Sequence, residues 1–305
     1  MKTFIKYALL FMLPIIILAI AAECFMRSIP NEYKFKNQWM NQHADSLETL
    51  VIGSSVGFYG VRPEFFSTNA FNLATISERP EYDYFLLKKY LPISKKLKNV
   101  VYPLFYEIFV DPPFEQSQEW PRASYFKIYM DCPYHSWLSK YSLETTSFTA
   151  MADKYNKYKL FQGKDCDSLG YGLHYQLKNK KMNPEDSEAD ALKAVIARTN
   201  VDSKYKEYNY EYVCRVAQLC KENNIRLIMV AFPSTHTFNR LRNKIQLNDF
   251  YKRVNQIVAK YNCELHDFSD DNSFTCDDFF DATHLTELGA KKLTIKIDSI
   301  ISTQI

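Results

Sequence analysis

Glycine is scarce in this chain, with 7 residues in 305, and three of the seven (Gly53, Gly57 and Gly60) fall within one short stretch. Net charge is also small, +3. No basic run is interleaved with aromatic residues, so the electrostatic footprint of a nucleic-acid-binding protein is missing. The lysines scatter over helix-like segments and read as a solvated face. The seven cysteines lack the paired short spacing of a zinc site. No internal repeat or low-complexity tract is present. No lysine follows the glycine-bearing stretch as a phosphate-binding loop requires, and no cofactor motif is found. What remains is ordinary globular composition, 47% hydrophobic and 24% charged, with a high aromatic share of 15%.

The leading segment runs uncharged from Tyr7 to Ala22, behind Lys2 and Lys6. With Phe4 and Ile5 counted and Lys6 snorkelling, it reaches the roughly 20 residues a bilayer span needs. Residues 1–27 therefore read as a membrane anchor. The two lysines place the N-terminus in the cytoplasm and the rest outside. The alternative is a signal peptide cleaved at Ala19-Ile20-Ala21, a small-x-small site. Glu23, in front of Cys24, is not the small residue a lipidated cysteine requires. Both readings export the domain. The exported cysteines (Cys132, Cys166, Cys214, Cys220, Cys263 and Cys276) read as buried free thiols or as one or two disulfides of unreadable pairing.

Residues 28–45 are polar without strong periodicity and suit a juxtamembrane linker. From residue 46 to 305, strand-like and helix-like segments alternate. Strands are expected at Leu47 to Ile52, Ala70 to Ala74, Val100 to Phe105, Ile225 to Phe232 and Cys263 to Phe268. Helices are expected at Pro80 to Tyr90, Ser203 to Asn223, Asn248 to Tyr261 and Thr286 to Ile301. That alternation predicts an α/β domain with a mostly parallel sheet covered on both faces. The stretch at about 107–202 breaks the rhythm and is too long for an ordinary connection. It reads as a helical, aromatic-rich insertion carrying Trp120, Trp137 and Pro112-Pro113. Its aromatics either build an accessory core or cover a substrate site.

Two short stretches carry the candidate chemistry. Leu50-Val51-Ile52 runs into Gly53-Ser54-Ser55, a strand ending on a serine-bearing turn, at the sheet edge where α/β folds bind ligands. Gly53 lets the chain leave the strand sharply, and the Ser55 N–H then points toward a developing oxyanion. The bland reading is a strand-to-helix turn with a capping serine. Far downstream, Asp281 precedes His284 by three residues. That spacing lets a carboxylate hold Nδ1–H while Nε2 stays free to take a serine proton. Asp281, His284 and Asp277 or Asp278 are alternatively a metal set, and no metal is assigned. His236, in the loop after the Ile225 to Phe232 strand, is a candidate substrate contact.

Gly53-Ser54-Ser55 at the first strand's end, with Asp281-x-x-His284 before the last helix, resembles the SGNH (GDSL-like) hydrolase superfamily. The likeness is strongest to membrane-anchored bacterial members tied to envelope polysaccharides. They share the G-S-S-x-x-x-x-G-x-x-P start (Gly53 to Pro63), an F-N-L-A second strand (Phe71 to Ala74) and a Y-D-Y helix (Tyr82-Asp83-Tyr84). The motifs span roughly 47–106 and 225–300. The resemblance implies a flavodoxin-like three-layer sandwich with a five-stranded sheet. It implies Ser55 as nucleophile, His284 as base and Asp281 as its orienter, with Gly53, Asn72 and Thr75 as oxyanion or substrate candidates. It implies O-acyl, and most simply acetyl, transfer or hydrolysis on a cell-surface glycan without a cofactor. Its setting is the outer face of the bacterial cytoplasmic membrane. An acylated carrier and a multipass membrane acyltransferase are the partners it suggests. Two departures stand out. The superfamily's glycine after the second strand is absent from Asn72 to Ser77. Its G-x-N-D asparagine is absent from Tyr102 to Glu107. A lost oxyanion donor costs about 3–4 kcal/mol. The departures therefore imply slow transfer, or a non-catalytic glycan-binding or assembly subunit that keeps the fold.

Overall fold

The computed structural model describes residues 2–133, 142–146, 151–152, 154–156, 165–180 and 188–303. Trp137 and part of the polar segment around Asn179 to Asp190 lie outside them. Five strands form one sheet: β1 (Thr49–Val51), β2 (Ala70–Asn72), β3 (Asn99–Leu104), β4 (Arg226–Ala231) and β5 (Glu264–Asp267). Their order is β2-β1-β3-β4-β5, and every pair is parallel. This is the flavodoxin-like order. The central strands β1 and β3 are buried along their whole length. That is why they read as continuous apolar runs and not as alternating ones.

The helices are numbered in chain order. Those whose bounds lie among the described residues are α1 (Lys2–Ser28), α2 (Glu32–His43), α3 (Ser55–Gly60), α4 (Pro80–Tyr90), α5 (Trp120–Met130), α6 (Glu188–Arg198), α7 (Lys206–Glu222), α8 (His236–Leu241), α9 (Lys244–Tyr261) and α10 (Glu287–Ser302). Helices α3 and α10 pack together, and α4 and α9 pack on α7. Because parallel crossovers are right-handed as a rule, the strand order puts these two groups on opposite faces of the sheet. Local chemistry sets the ends. Pro80 opens α4 in the first turn, where its missing N–H is harmless. The Asn243 side chain caps α9, and Asn262 closes it in the left-handed conformation. The Thr286 side chain caps α10.

Within α1, the 26 residues Thr3–Ser28 are long and apolar enough to cross a membrane. Leu9, Phe11 and Leu18 stand exposed along it, while Met26 and the following Ile29 are buried against Met151 and Tyr155. The Glu23 carboxylate accepts hydrogen bonds from the Glu144 and Thr145 N–H groups and the Thr145 hydroxyl. The helix therefore runs without a break onto the domain.

Residues 28–45, expected to link, instead hold α2, with Tyr33, Lys36 and Met40 buried. The lysine hides the apolar stripe from a sequence reading. Its Nζ donates to the Ala74 carbonyl and lies 4.4 Å from the centre of the Phe58 ring, and burial pushes it down to about 8. All seven cysteines are free thiols. In the insertion, Phe114, Phe126 and Met130 are fully buried in the main core. Tyr82 stacks on Phe126 at 4.3 Å. Further along, the Leu169 carbonyl accepts the Asn72 N–H and so covers the edge strand β2. That edge would otherwise be open to pairing.

Candidate active site

The strand order reverses between β1 and β3, which is where open α/β sheets form their ligand crevice. Ser55 stands at this point. Gly53 makes it possible: its φ of +115° belongs to glycine, and a Cβ there would meet the Pro103 carbonyl at 3.3 Å. Ser54 is the N-cap of α3, but its side chain makes no capping bond. Ser55 begins the helix, half-buried.

The structure brings Ser55, His284 and Asp281 into one hydrogen-bonded chain. Ser55 Oγ is 2.9 Å from His284 Nε2. His284 Nδ1 is 2.9 Å from Asp281 Oδ2 and 3.0 Å from Oδ1. With the imidazole proton on Nδ1, the serine hydroxyl donates to Nε2. Asp281 Oδ1 also accepts the N–H groups of Thr283 and His284, so one carboxylate shapes the loop and orients the ring. Burial pushes the Asp281 carboxyl up. The imidazole beside it, the Thr283 N–H and the Arg198 charge outweigh that and hold it well below the usual carboxylate range. The Phe280 N–H donates to the His284 carbonyl, and the Thr286 hydroxyl donates to the Asp277 carbonyl, which fixes both ends of the loop.

His284 is 6% exposed and sits in an aromatic box. Tyr175 meets it edge-on at 5.0 Å, and Tyr59 does so at 6.4 Å. Tyr175 is itself sandwiched between Tyr59 at 3.9 Å and Phe280 at 4.2 Å. The insertion thus contributes to the site as well as to the core.

The remaining candidates separate. Asn72 Nδ2 donates to the Gly57 and Val61 carbonyls, and its Oδ1 accepts the Ala74 N–H, so it is a buried structural tie. The Thr75 N–H is shared between the Gly53 carbonyl and Glu78 Oε2, 2.8 Å away, which leaves it no hydrogen for an oxyanion. The Ser55 N–H, at the helix start where backbone N–H groups lack intrahelical partners, is the donor that remains. His236 is exposed on α8 and lines a separate cavity of about 280 Å³ with Phe274, Cys276 and Phe279. It does not join Ser55. Asp278 is taken up by Thr275 and Lys292. Among the described residues, no group of three His, Cys, Asp or Glu is placed to hold a metal ion.

A cavity of about 410 Å³ opens beside Ser55, between Ser77 to Pro80 on one side and Phe105, Asp111 and Arg198 on the other. Arg79 pairs with Asp111 at 2.7 Å, and Arg198 with Glu107 at 3.2 Å. Burial pushes the Glu107 carboxyl up to about 7. Sequence reasoning passed over this wall. One signal was available, the charged run Ser77-Glu78-Arg79-Pro80 directly behind an apolar strand. Tyr175 and Arg198, on the insertion, had no sequence signal at all.

A family model described as "Protein of unknown function (DUF1574)" matches residues 178–294, well under half of the chain. No curated protein matches. Among solved structures, the chain is similar to a candidate acylhydrolase from Bacteroides fragilis, with TM-score 0.43 and 10% identity over 88% of this chain and 95% of that one. It is similar also to a GDSL-like lipase from Bacteroides thetaiotaomicron, with TM-score 0.43 and 10% identity over 89% of this chain and all of that one. The α/β fold described above rests on the chain's own sheet order, and the chemistry proposed below on its own side chains.

Proposed function

We propose that the protein is a serine-dependent acyl-ester hydrolase or O-acyltransferase. The observation that carries this reading is the Ser55–His284–Asp281 chain, with both hydrogen bonds at 2.9 Å. Ser55 Oγ attacks the acyl carbonyl while Nε2 takes its proton. The imidazolium so formed is stabilised by the Asp281 carboxylate. The Ser55 N–H faces the oxyanion, the alkoxide leaves with the proton from Nε2, and water or a sugar hydroxyl resolves the acyl-enzyme. With Thr75 committed to Glu78, turnover is slow, which suits transfer between tethered partners better than rapid hydrolysis. The acyl group is most simply acetyl, carried on a cell-surface polysaccharide. The domain works outside the bacterial cytoplasmic membrane, held there by α1 and served by a multipass acyltransferase. The Thr75–Glu78 bond favours one rival, a glycan-binding subunit without turnover. Trapping with a fluorophosphonate followed by peptide mass spectrometry separates the two. An adduct on Ser55 is expected. An adduct on Ser54 moves the assignment by one residue, and none on either serine removes the catalytic reading.

A further inference from the structure

The His284 imidazole is tied unequally at its two nitrogens. Nδ1 meets both oxygens of Asp281 and, at 3.3 Å, the Thr283 hydroxyl, all from its own loop. Nε2 meets Ser55 Oγ and no other hydrogen-bonding group among the described residues. That tie cannot last through a turnover. Once Oγ is esterified it has no hydrogen to give, and Nε2 must then take the proton of the incoming water or sugar hydroxyl. At that stage hydrogen bonds hold the ring at Nδ1 alone. A ring held at one nitrogen can tilt, and a small misplacement of a reacting group is costly in rate.

Contact with the ring itself comes from the insertion. Tyr175 has one face against Tyr59 and the other against Phe280, with interplanar angles of 21° and 6°. With both faces covered, it offers His284 its edge, at 5.0 Å and 68°. Tyr59 also approaches the imidazole, but only to 6.4 Å. Tyr59 lies on α3 with Ser55, and Phe280 lies in the loop of His284, so the Tyr175 ring is wedged between the two halves of the site. Its backbone is fastened to both halves. The Gly172 N–H donates to the Phe58 carbonyl, the Leu177 N–H to the Glu287 carboxylate and the Lys180 ammonium to the Cys276 carbonyl. The Tyr175 hydroxyl meets Asp281 and Arg198 only through their charges, so the ring is what the residue brings.

We propose that Tyr175 is a positioning residue for the second half of the reaction: its edge keeps the His284 ring aimed while Ser55 is acylated and cannot. This role rests on Ser55 forming the acyl-enzyme proposed above, and it adds the step that needs the insertion. In that step the acceptor oxygen bonds to the acyl carbon and its proton passes to Nε2. The bond from Oγ to the acyl carbon then breaks as Nε2 returns the proton to Oγ. Tyr175 exchanges no atom and acts through His284 alone.

The test follows acetyl on Ser55 of the full-length protein. Nitrophenolate release from p-nitrophenyl acetate gives the rate of formation. The ester is then removed by rapid desalting, and mass spectrometry follows the decay of acetyl-Ser55 in water. Tyr175→Leu should slow decay about tenfold more than it slows formation, the scale of one aromatic edge contact. Tyr175→Phe, which keeps the ring, should restore the wild-type ratio of the two rates. Loss of folded protein lowers the amount acetylated but leaves the rate constants of the remainder, so the ratio reports position and not stability. Should Tyr175→Leu melt early, Phe280→Leu, which frees one face of the wedge, carries the same prediction. A ratio equal to that of wild type, or a Tyr175→Phe protein as impaired as Tyr175→Leu, overturns the inference and leaves the acyl-enzyme standing. Wild-type protein without acetyl on Ser55 overturns both.

Discussion

Replacing Asp281 by asparagine isolates orientation from chemistry. Asp281 Oδ1 accepts the Thr283 and His284 N–H groups at 2.8 and 3.0 Å, and an amide oxygen can accept both, so the loop should persist. The amide nitrogen then replaces Oδ2 at 2.9 Å from Nδ1. Two donors cannot face each other there. The imidazole must shift its proton to Nε2, the atom that faces Ser55 Oγ, and the base is lost in its useful tautomer. A wrong tautomer in this arrangement costs about 10⁴ in turnover, or about 5.4 kcal/mol at 1.36 kcal/mol per tenfold. Removing Ser55 or His284 outright should cost more, nearer 10⁶ where enough background is measurable, with the double variant scarcely worse. The assay is the rate of fluorophosphonate labelling of Ser55, compared with the thermal midpoint of the same preparations. Labelling should collapse while the midpoint moves only a few degrees. Asp281→Asn protein that labels within about threefold of wild type, against the expected 10⁴, refutes the tautomer argument. Protein that unfolds makes the aspartate a structural link in the closing loop.

Stability should fall as pH rises from about 5 to 7.5. Burial raises Asp83 and Glu107 to about 7, so their contribution is complete below the ordinary carboxylate range and is lost as pH rises through 7. Asp281 acts oppositely and weakens the fold only on acidification below its ordinary range. Thermal midpoints across that window should show the decline, and Asp83→Asn should flatten it; a flat wild-type profile would contradict the assigned burial. Gly170→Ala should destabilise by about 1–3 kcal/mol, because φ is +86° and the new Cβ would lie 2.1 Å from the Asn72 carbonyl oxygen. An unchanged urea midpoint would sink that prediction. The protein should remain with membranes after alkaline carbonate washing, since α1 runs unbroken into contacts made by Glu23 and Met26. A soluble product beginning at Ala22 would show cleavage instead.

Strands β1 to β4 were legible because each is a short, mostly apolar run buried in a parallel sheet, whereas β5, a half-exposed edge strand of mostly polar residues, was legible from its place behind α9. Helices α4, α7, α9 and α10 declared themselves by apolar spacing and by end signals such as Pro80, Pro92 and Thr286. Helix α2 did not, because its buried stripe includes a lysine satisfied by a distant carbonyl. The serine and the Asp281–His284 pair were legible because the pair lies within one loop and the serine follows a strand directly. Tyr175 and Arg198 were not. Their place beside Ser55 depends on how the insertion folds back across the sheet edge, and no local pattern encodes that return. Thr75 shows the reverse case: it lies where the motif puts it, yet its N–H is occupied by a carboxylate three residues on.

The most direct test of the central claim is capture of the acyl-enzyme itself. The protein is mixed with p-nitrophenyl acetate, quenched in acid, digested and mapped by mass spectrometry. Wild-type protein should carry an acetyl group on Ser55, and His284→Ala protein, equally folded, should carry none. Acetyl on other residues only, or equal acetylation of Ser55 with and without the histidine, would contradict the account.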